Sequence, residues 1–113
     1  MNELQYMQEF SAGHNKFTEV PNTVCQWKHL KRLDLHQNQI TGLPKAMGGL
    51  KELFSLDLWS NDLSDFPDEI SGMRALRFMD LRVIAFSQDE IDRINSLLPS
   101  VKIFFSQPCN GGE

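Results

Sequence analysis

The chain has 113 residues, enough for one domain, and its 15 acidic and 11 basic residues give a formal net charge of −4. This acidic balance argues against a nucleic-acid or anionic-membrane surface, and no apolar stretch is long enough to cross a bilayer or serve as a secretion signal. The two cysteines, Cys25 and Cys109, lie far apart rather than in a disulfide framework, which favours a reducing, cytoplasmic location.

A motif recurs every 23 residues. The segment LKRLDLHQNQITGLP, which begins at Leu30, aligns with LFSLDLWSNDLSDFP from Leu53 and, with substitutions, with MQEFSAGHNKFTEVP from Met7. A strict period of this size is typical of a solenoid, in which each coil buries its apolar face against its neighbours.

Each repeat opens with alternating apolar and polar residues, a pattern that predicts a short strand with one buried face. Parallel strands are therefore expected near residues 9–13, 32–36, 55–59, 78–82 and 101–105. A return segment follows each strand, with apolar residues three apart, such as Val24 and Trp27. Each coil thus holds one strand and one return segment.

The pattern changes after Phe86. Ser87 and Glu90 have the spacing of a capping box, the apolar residues that follow predict a helix, and Pro99 should end it. Leu98, Val101 and Ile103 then repeat the strand motif after an interval of 22 residues. The domain is expected to cover residues 1–105, with a polar tail over 106–113.

This sequence resembles the leucine-rich-repeat family, L-x-x-L-x-L-x-x-N-x-I/L, in its 23-residue form with L-P after the Asn segment. The resemblance covers nearly the whole chain. It implies a right-handed α/β solenoid with a parallel concave sheet of about five strands and a C-terminal helix-strand cap.

An asparagine ends the strand motif in three repeats. A side-chain amide at this position can satisfy backbone groups of its own and an adjacent coil, so a structural ladder is predicted. Its members are Asn15, Asn38 and Asn61. The fourth repeat has Ile84 instead, which suggests that the coil is being closed.

Side chains between the inward leucines should project from the concave sheet in three columns. The first is Glu9, Arg32, Ser55, Phe78 and Ser100. The second is Ser11, Asp34, Asp57, Asp80 and Lys102. The third is Gly13, His36, Trp59, Arg82 and Phe104. Five strands span roughly 20–25 Å, near the low end for a specific protein interface.

Trp59 is the strongest binding candidate, because tryptophan and arginine are enriched at interface hot spots and Arg82 is predicted one strand away. Phe104 is predicted on the strand after that, which makes cation–π stacking among Trp59, Arg82 and Phe104 feasible. In the aspartate column, Arg32 should relieve Asp34, while Arg82 and Lys102 relieve Asp80, so Asp57 is the least compensated. The predicted partner-binding residues are Trp59, Arg82, Asp57, Phe104, Asp34, His36, Asp80, Arg32 and Phe78.

The sequence shows no catalytic motif and no phosphate-binding glycine loop, so no enzyme activity and no cofactor are predicted. His14 and His36 lie near Asp34 and could in principle share a metal ion. However, the repeat aligns His14 with Gln37 rather than with His36. No metal site is therefore predicted.

The favoured function is a protein–protein interaction module whose partner binds on the concave sheet. One alternative is a recognition segment of a larger repeat-bearing enzyme, such as a GTPase, kinase or ubiquitin-ligase effector; another is a self-assembling structural repeat. Met1 and Leu4 fall on return-segment columns, so the chain starts in mid-repeat and truncation is favoured. An uncapped end of this kind predicts a homodimer through Met1, Leu4, Met7 and Phe10.

Overall fold

A computed structural model describes residues 7–64 and 66–106 as a solenoid with one five-stranded parallel sheet. The strands pair in chain order. Their bounds are Glu9–Ser11 (β1), Arg32–Asp34 (β2), Ser55–Asp57 (β3), Phe78–Leu81 (β4) and Lys102–Phe105 (β5). The predicted right-handed α/β solenoid is thus confirmed. Met1, Leu4, Cys109 and most of the predicted tail lie outside the described residues.

The register of the first four strands follows the 23-residue period. Leu33 pairs with Leu56, and Leu56 pairs with Met79. The predicted register of the last strand is wrong by two residues, because Met79 pairs with Ile103 rather than Val101. Val101 still belongs to the preceding turn, where its N–H donates to the Leu98 carbonyl. A shift of two residues keeps every side chain on its predicted face.

The strands are shorter than predicted, with three or four residues each instead of five. Backbone pairing continues past their ends, as when the Gln37 N–H donates to the Trp59 carbonyl at 2.8 Å. Gln37 and Ser60 then adopt left-handed backbone conformations, with φ of 54° and 61°. The chain therefore turns out of the sheet just before each asparagine of the repeat.

The return segments are 3₁₀ helices in three coils and an α-helix in the fourth. The 3₁₀ helices span Asn22–Gln26, Lys45–Gly49 and Asp68–Gly72. A 3₁₀ helix has three residues per turn, which accounts for apolar residues spaced three apart. Each one follows a proline, whose fixed φ suits the start of a helical turn.

The core lies between the sheet and these return segments. Leu33, Leu35, Leu56 and Leu58 point into it from two adjacent strands and are at most 1% exposed. Residues from the other side of each coil, such as Met47 and Ile70, are also fully buried. Because every coil adds to one continuous apolar layer, each depends on its neighbours for burial.

Helix α1, Gln88–Leu97, closes the C-terminal end. The Ser87 hydroxyl accepts a hydrogen bond from the Glu90 N–H at 3.1 Å, so the predicted N-terminal cap is present. The Arg93 guanidinium joins the helix to the preceding coil through Asp68, at 2.6 Å. The helix buries Ile91 and Ile94 against the last coil.

At the N-terminal end, Met7 and Phe10 are half-buried and pack against the core. The Phe10 ring contacts Trp27 edge-on, with ring centroids 5.0 Å apart. Association of two chains through this end stays a prediction.

Candidate functional site

The concave face of the sheet, on the side away from the core, carries the predicted binding residues. Along β2, β3 and β4, two columns point outward: Arg32, Ser55 and Phe78 form one, and Asp34, Asp57 and Asp80 form the other. The corrected register of β5 places Lys102 beside Phe78 and Phe104 beside Asp80. Phe104 therefore extends the aspartate column rather than the Trp59 column, and Ser100 does not pair with Phe78.

The aspartate column has a local structural role. Each carboxylate accepts a hydrogen bond from the backbone N–H two residues later: Asp34 from His36, Asp57 from Trp59 and Asp80 from Arg82, at 3.0–3.1 Å. Aspartate side chains commonly stabilise turns through such bonds. These bonds turn the chain at the ends of the strands, which explains why the strands are shorter than the alternating pattern predicts.

Asp57 occupies the least favourable electrostatic position of the column. The pKa of Asp57 is raised, mainly because the carboxyl group is partly buried. Repulsion from Asp34 and Asp80 raises the pKa further, while the hydrogen bond from the Trp59 N–H lowers it. Within the described residues, no salt bridge involves Asp57. The carboxylate is thus a partly desolvated negative charge on the surface that is predicted to bind.

We expect Asp57→Asn to stabilise the protein at pH 7 by up to about 1 kcal/mol, the upper end for cross-strand charge pairs. The amide oxygen can still accept the Trp59 N–H. Because the pKa of Asp57 is raised in the folded state, its ionised carboxylate lowers the free energy of unfolding by the full amount only at pH values above that raised pKa. This effect disappears below the ordinary value of 3.8, where the carboxyl is protonated in both states. Urea melts of the wild type and of Asp57→Asn, in the presence of a chelator, at pH 7 and below pH 3.8 test this prediction. Replacement of the exposed Asp62 by Asn is the control. An Asp57→Asn variant that is less stable than the wild type at pH 7 would contradict the prediction.

Arg82 is held in place by Asp80. Its Nε and Nη2 donate to the two carboxylate oxygens at 3.0 and 2.8 Å. Burial acts to raise the Asp80 pKa, but the hydrogen bonds from Arg82 outweigh it and lower that pKa. The guanidinium also lies 5.8 Å from the centre of the Phe104 ring. Arg82 thus presents a preoriented cation beside an aromatic ring.

Two of the predicted charge pairings form no salt bridge among the described residues. Lys102 does not lie opposite Asp80; its ammonium is instead 5.8 Å from the Phe104 ring centre. The Arg32 guanidinium lies over the Phe54 ring at 5.2 Å, while Asp34 takes His36 as its partner. In both cases an aromatic ring attracts the cation, a contact that the column alignment does not reveal.

A cleft of about 260 Å³ opens on the concave face over β3, β4 and β5. Phe78 and Phe104 are 47% and 41% exposed and line it together with Asp57, Asp80 and Arg82. Ser55, which was predicted on the concave face but not as a binding residue, also lines the cleft, as do Leu56 and Met79, which the alternating pattern assigns to the core.

Trp59 lies beside the cleft and is half-buried. Its closest aromatic neighbour among the described contacts is His36, with ring centroids 5.9 Å apart. The predicted stack of Trp59, Arg82 and Phe104 is therefore present only as the contact between Arg82 and Phe104. Trp59 instead extends the aromatic surface toward β2.

The asparagine column connects successive coils. The Asn61 amide donates to the carbonyls of Leu58 and Leu35, and its oxygen accepts the Ile40 N–H. Asn38 makes the equivalent bonds to its own coil and the preceding one. Asn15 is exposed, and its described bonds reach only Ala12 and Gly13 in its own coil.

A family model for the leucine rich repeat matches residues 6–63. The chain belongs to the leucine-rich-repeat family. By structure, it is similar to the LRR protein LIC12759 of Leptospira interrogans, at 38% identity and a TM-score of 0.83, over 87% of this chain and 25% of that one. The chain thus spans about a quarter of that leucine-rich-repeat protein.

An internalin of Listeria monocytogenes is similar in fold alone, at 16% identity and a TM-score of 0.54, over 87% of this chain and 36% of the internalin. No curated protein matches the chain. The described helices include none with the length and apolar character needed to cross a membrane.

Proposed function

We propose that this leucine-rich-repeat domain is a non-catalytic interaction module that binds a protein partner on its concave face. The observation that carries the proposal is the cleft over β3–β5, where Phe78 and Phe104 expose apolar surface beside the paired charges of Arg82 and Asp80. Apolar patches rimmed by polar groups mark interaction sites on soluble proteins.

The cleft combines the two features expected of an interface hot spot. Its aromatic rings provide apolar area whose burial contributes about 25 cal/mol per Å². Arg82 is fixed in advance by Asp80, so a partner would not have to immobilise it on binding. The half-buried Trp59 extends the surface toward β2 with a large, rigid ring.

Charge complementarity defines one property of the partner. Asp57 and Asp80 are on adjacent strands of the cleft, but only Asp80 has a cationic partner within the described residues. A lysine or arginine side chain placed over Asp57 would relieve the repulsion between the carboxylates. We therefore propose a partner segment that combines an apolar anchor with a basic residue. The proposal includes the predicted cytoplasmic location, which cell fractionation tests.

Quantitative affinity capture tests the proposed function in the organism that encodes the protein. The immobilised wild-type domain should retain a specific protein, and Phe104→Ala and Arg82→Ala should each reduce its capture at least tenfold, in line with about 1.4 kcal/mol or more for a hot-spot residue. Their melting temperatures should stay close to that of the wild type, because both side chains are exposed.

Glu69→Ala and Arg74→Ala are matched controls, since both residues are exposed on the return-segment side of the solenoid. They should capture the same protein as the wild type. Equal capture by all four variants would place the binding surface elsewhere and reject the proposed function.

A further inference from the structure

Three metal-ligating side chains converge on the concave face next to the cleft. Asp34 and His36 come from the end of β2, and Asp57 comes from the neighbouring strand β3. In the described part of the chain, one donor atom from each lies within 4.8 Å of the others. All three residues are half-buried, so their donors are neither fully solvated nor sealed from an incoming ion.

The backbone and neighbouring rings hold His36 in this cluster. Its Nδ1 lies 2.5 Å from Asp34 Oδ1, and its ring contacts Trp59. The ring also lies against Gly13, and a Cβ atom added to that glycine would be only 2.6 Å from His36 Nδ1. Only a residue without a side chain therefore fits below the ring. Asp57 is oriented separately by the hydrogen bond from the Trp59 N–H.

A second imidazole lies next to the cluster. The His14 ring meets His36 edge-on, with centroids 5.6 Å apart, although the repeat aligns His14 with Gln37. The backbone of His14 is left-handed, with φ of 60°, as it is at the aligned Gln37, with φ of 54°. One imidazole and two carboxylates form a ligand set that suits zinc and related transition metals, whereas calcium and magnesium prefer oxygen ligands alone.

We propose that Asp34, His36 and Asp57 bind a divalent transition-metal ion of the zinc type, with water in the fourth position, because His14 lies next to His36 but outside the group of close donor atoms. Ligand atoms around tetrahedral zinc lie about 3.4 Å apart, given bond lengths of about 2.1 Å. The donor atoms of Asp34, His36 and Asp57, which lie within 4.8 Å of one another, would each need to move by only about 1 Å to reach this spacing. The ion would also neutralise two adjacent carboxylates of the aspartate column.

This inference departs from the sequence-based expectation of no metal site. That expectation rested on the alignment of His14 with Gln37, which is correct for the backbone but does not determine where the ring lies. The proposal also goes beyond the proposed interaction function, because it requires no partner. Its test uses the domain and the metal ion only.

Calorimetric titration of the chelator-treated domain with Zn²⁺ tests the site. We expect one equivalent bound per chain, and Co²⁺ should give a visible absorption band that Zn²⁺ abolishes. His36→Ala and Asp57→Asn should each lower zinc affinity at least tenfold. His29→Ala should bind as the wild type, because it alters a different histidine–carboxylate pair, His29 with Glu52.

Gly13→Ala separates a built site from a chance group of donors. This variant keeps all three donor side chains, but its methyl group would occupy the space of the His36 ring. We expect it to weaken zinc binding at least tenfold, while Gly49→Ala, whose Cβ would meet only Lys28 Nζ at 3.5 Å, has no effect. Melting curves verify that each variant is folded. Absence of stoichiometric binding, or wild-type affinity in folded His36→Ala and Gly13→Ala, would overturn the proposal.

Discussion

Replacing Leu58 with alanine should lower the free energy of unfolding by about 2–5 kcal/mol. Leu58 follows β3, is fully buried, and lies in the apolar layer that connects the third coil to its neighbours. Truncation removes the transfer free energy of the lost methyl groups and leaves a cavity between coils. Because a solenoid coil is stabilised mainly by the coils beside it, a defect in the middle weakens both contacts at once.

Urea melts of Leu58→Ala and Phe78→Ala test this prediction by comparing a buried with an exposed apolar side chain. Phe78 is a larger side chain on the same sheet, but it is 47% exposed on the concave face, so its removal should change stability by less than about 1 kcal/mol. Similar losses in both variants would contradict the assignment of the two faces of the sheet.

Replacing Asn61 with alanine should destabilise the protein by about 1–3 kcal/mol or more, the penalty for leaving buried polar groups unpaired. The Asn61 side chain is 5% exposed and connects two coils. Without it, the Ile40 N–H loses its acceptor, and the carbonyls of Leu35 and Leu58 lose a donor. The alanine side chain is smaller than that of asparagine and does not fill the space that the amide leaves.

Asn15→Ala is the matched control, since Asn15 occupies the same position in the first complete repeat. Its amide is exposed and donates only within its own coil in the described structure, so water can replace the lost bonds. We expect a loss well below that of Asn61→Ala. Equal losses in the two variants would show that burial and contact between coils do not determine the contribution of this column.

The period and the alternation of the sequence predict most of the fold. Leu33, Leu56 and Met79 align at intervals of 23 residues and pair across adjacent strands as expected. The prediction fails at β5, where α1 and the turn after it replace a 3₁₀ segment, so that Met79 pairs with Ile103, 24 residues later, instead of with Val101 at the predicted interval of 22. A repeat determines register only while its return segment keeps the same length.

The candidate site is less predictable, because the repeat assigns side chains to a face but not to their partners. Phe78 and Phe104 were placed correctly on the concave face, whereas the contact of Arg32 with Phe54 depends on rotamers that no alternating pattern specifies. The space that Gly13 leaves for the His36 ring likewise depends on distances of a few ångströms between neighbouring coils.

Fluorine NMR of the fluorotryptophan-labelled domain tests binding at the concave face most directly. The chain has two tryptophans, so two resonances are expected, and Trp59→Phe assigns them. Trp27 is buried in the core, whereas Trp59 lies beside the cleft. Addition of the unlabelled captured partner should shift or broaden the Trp59 resonance and leave Trp27 unchanged. A complex that forms while the Trp59 resonance stays unchanged would contradict binding at this face.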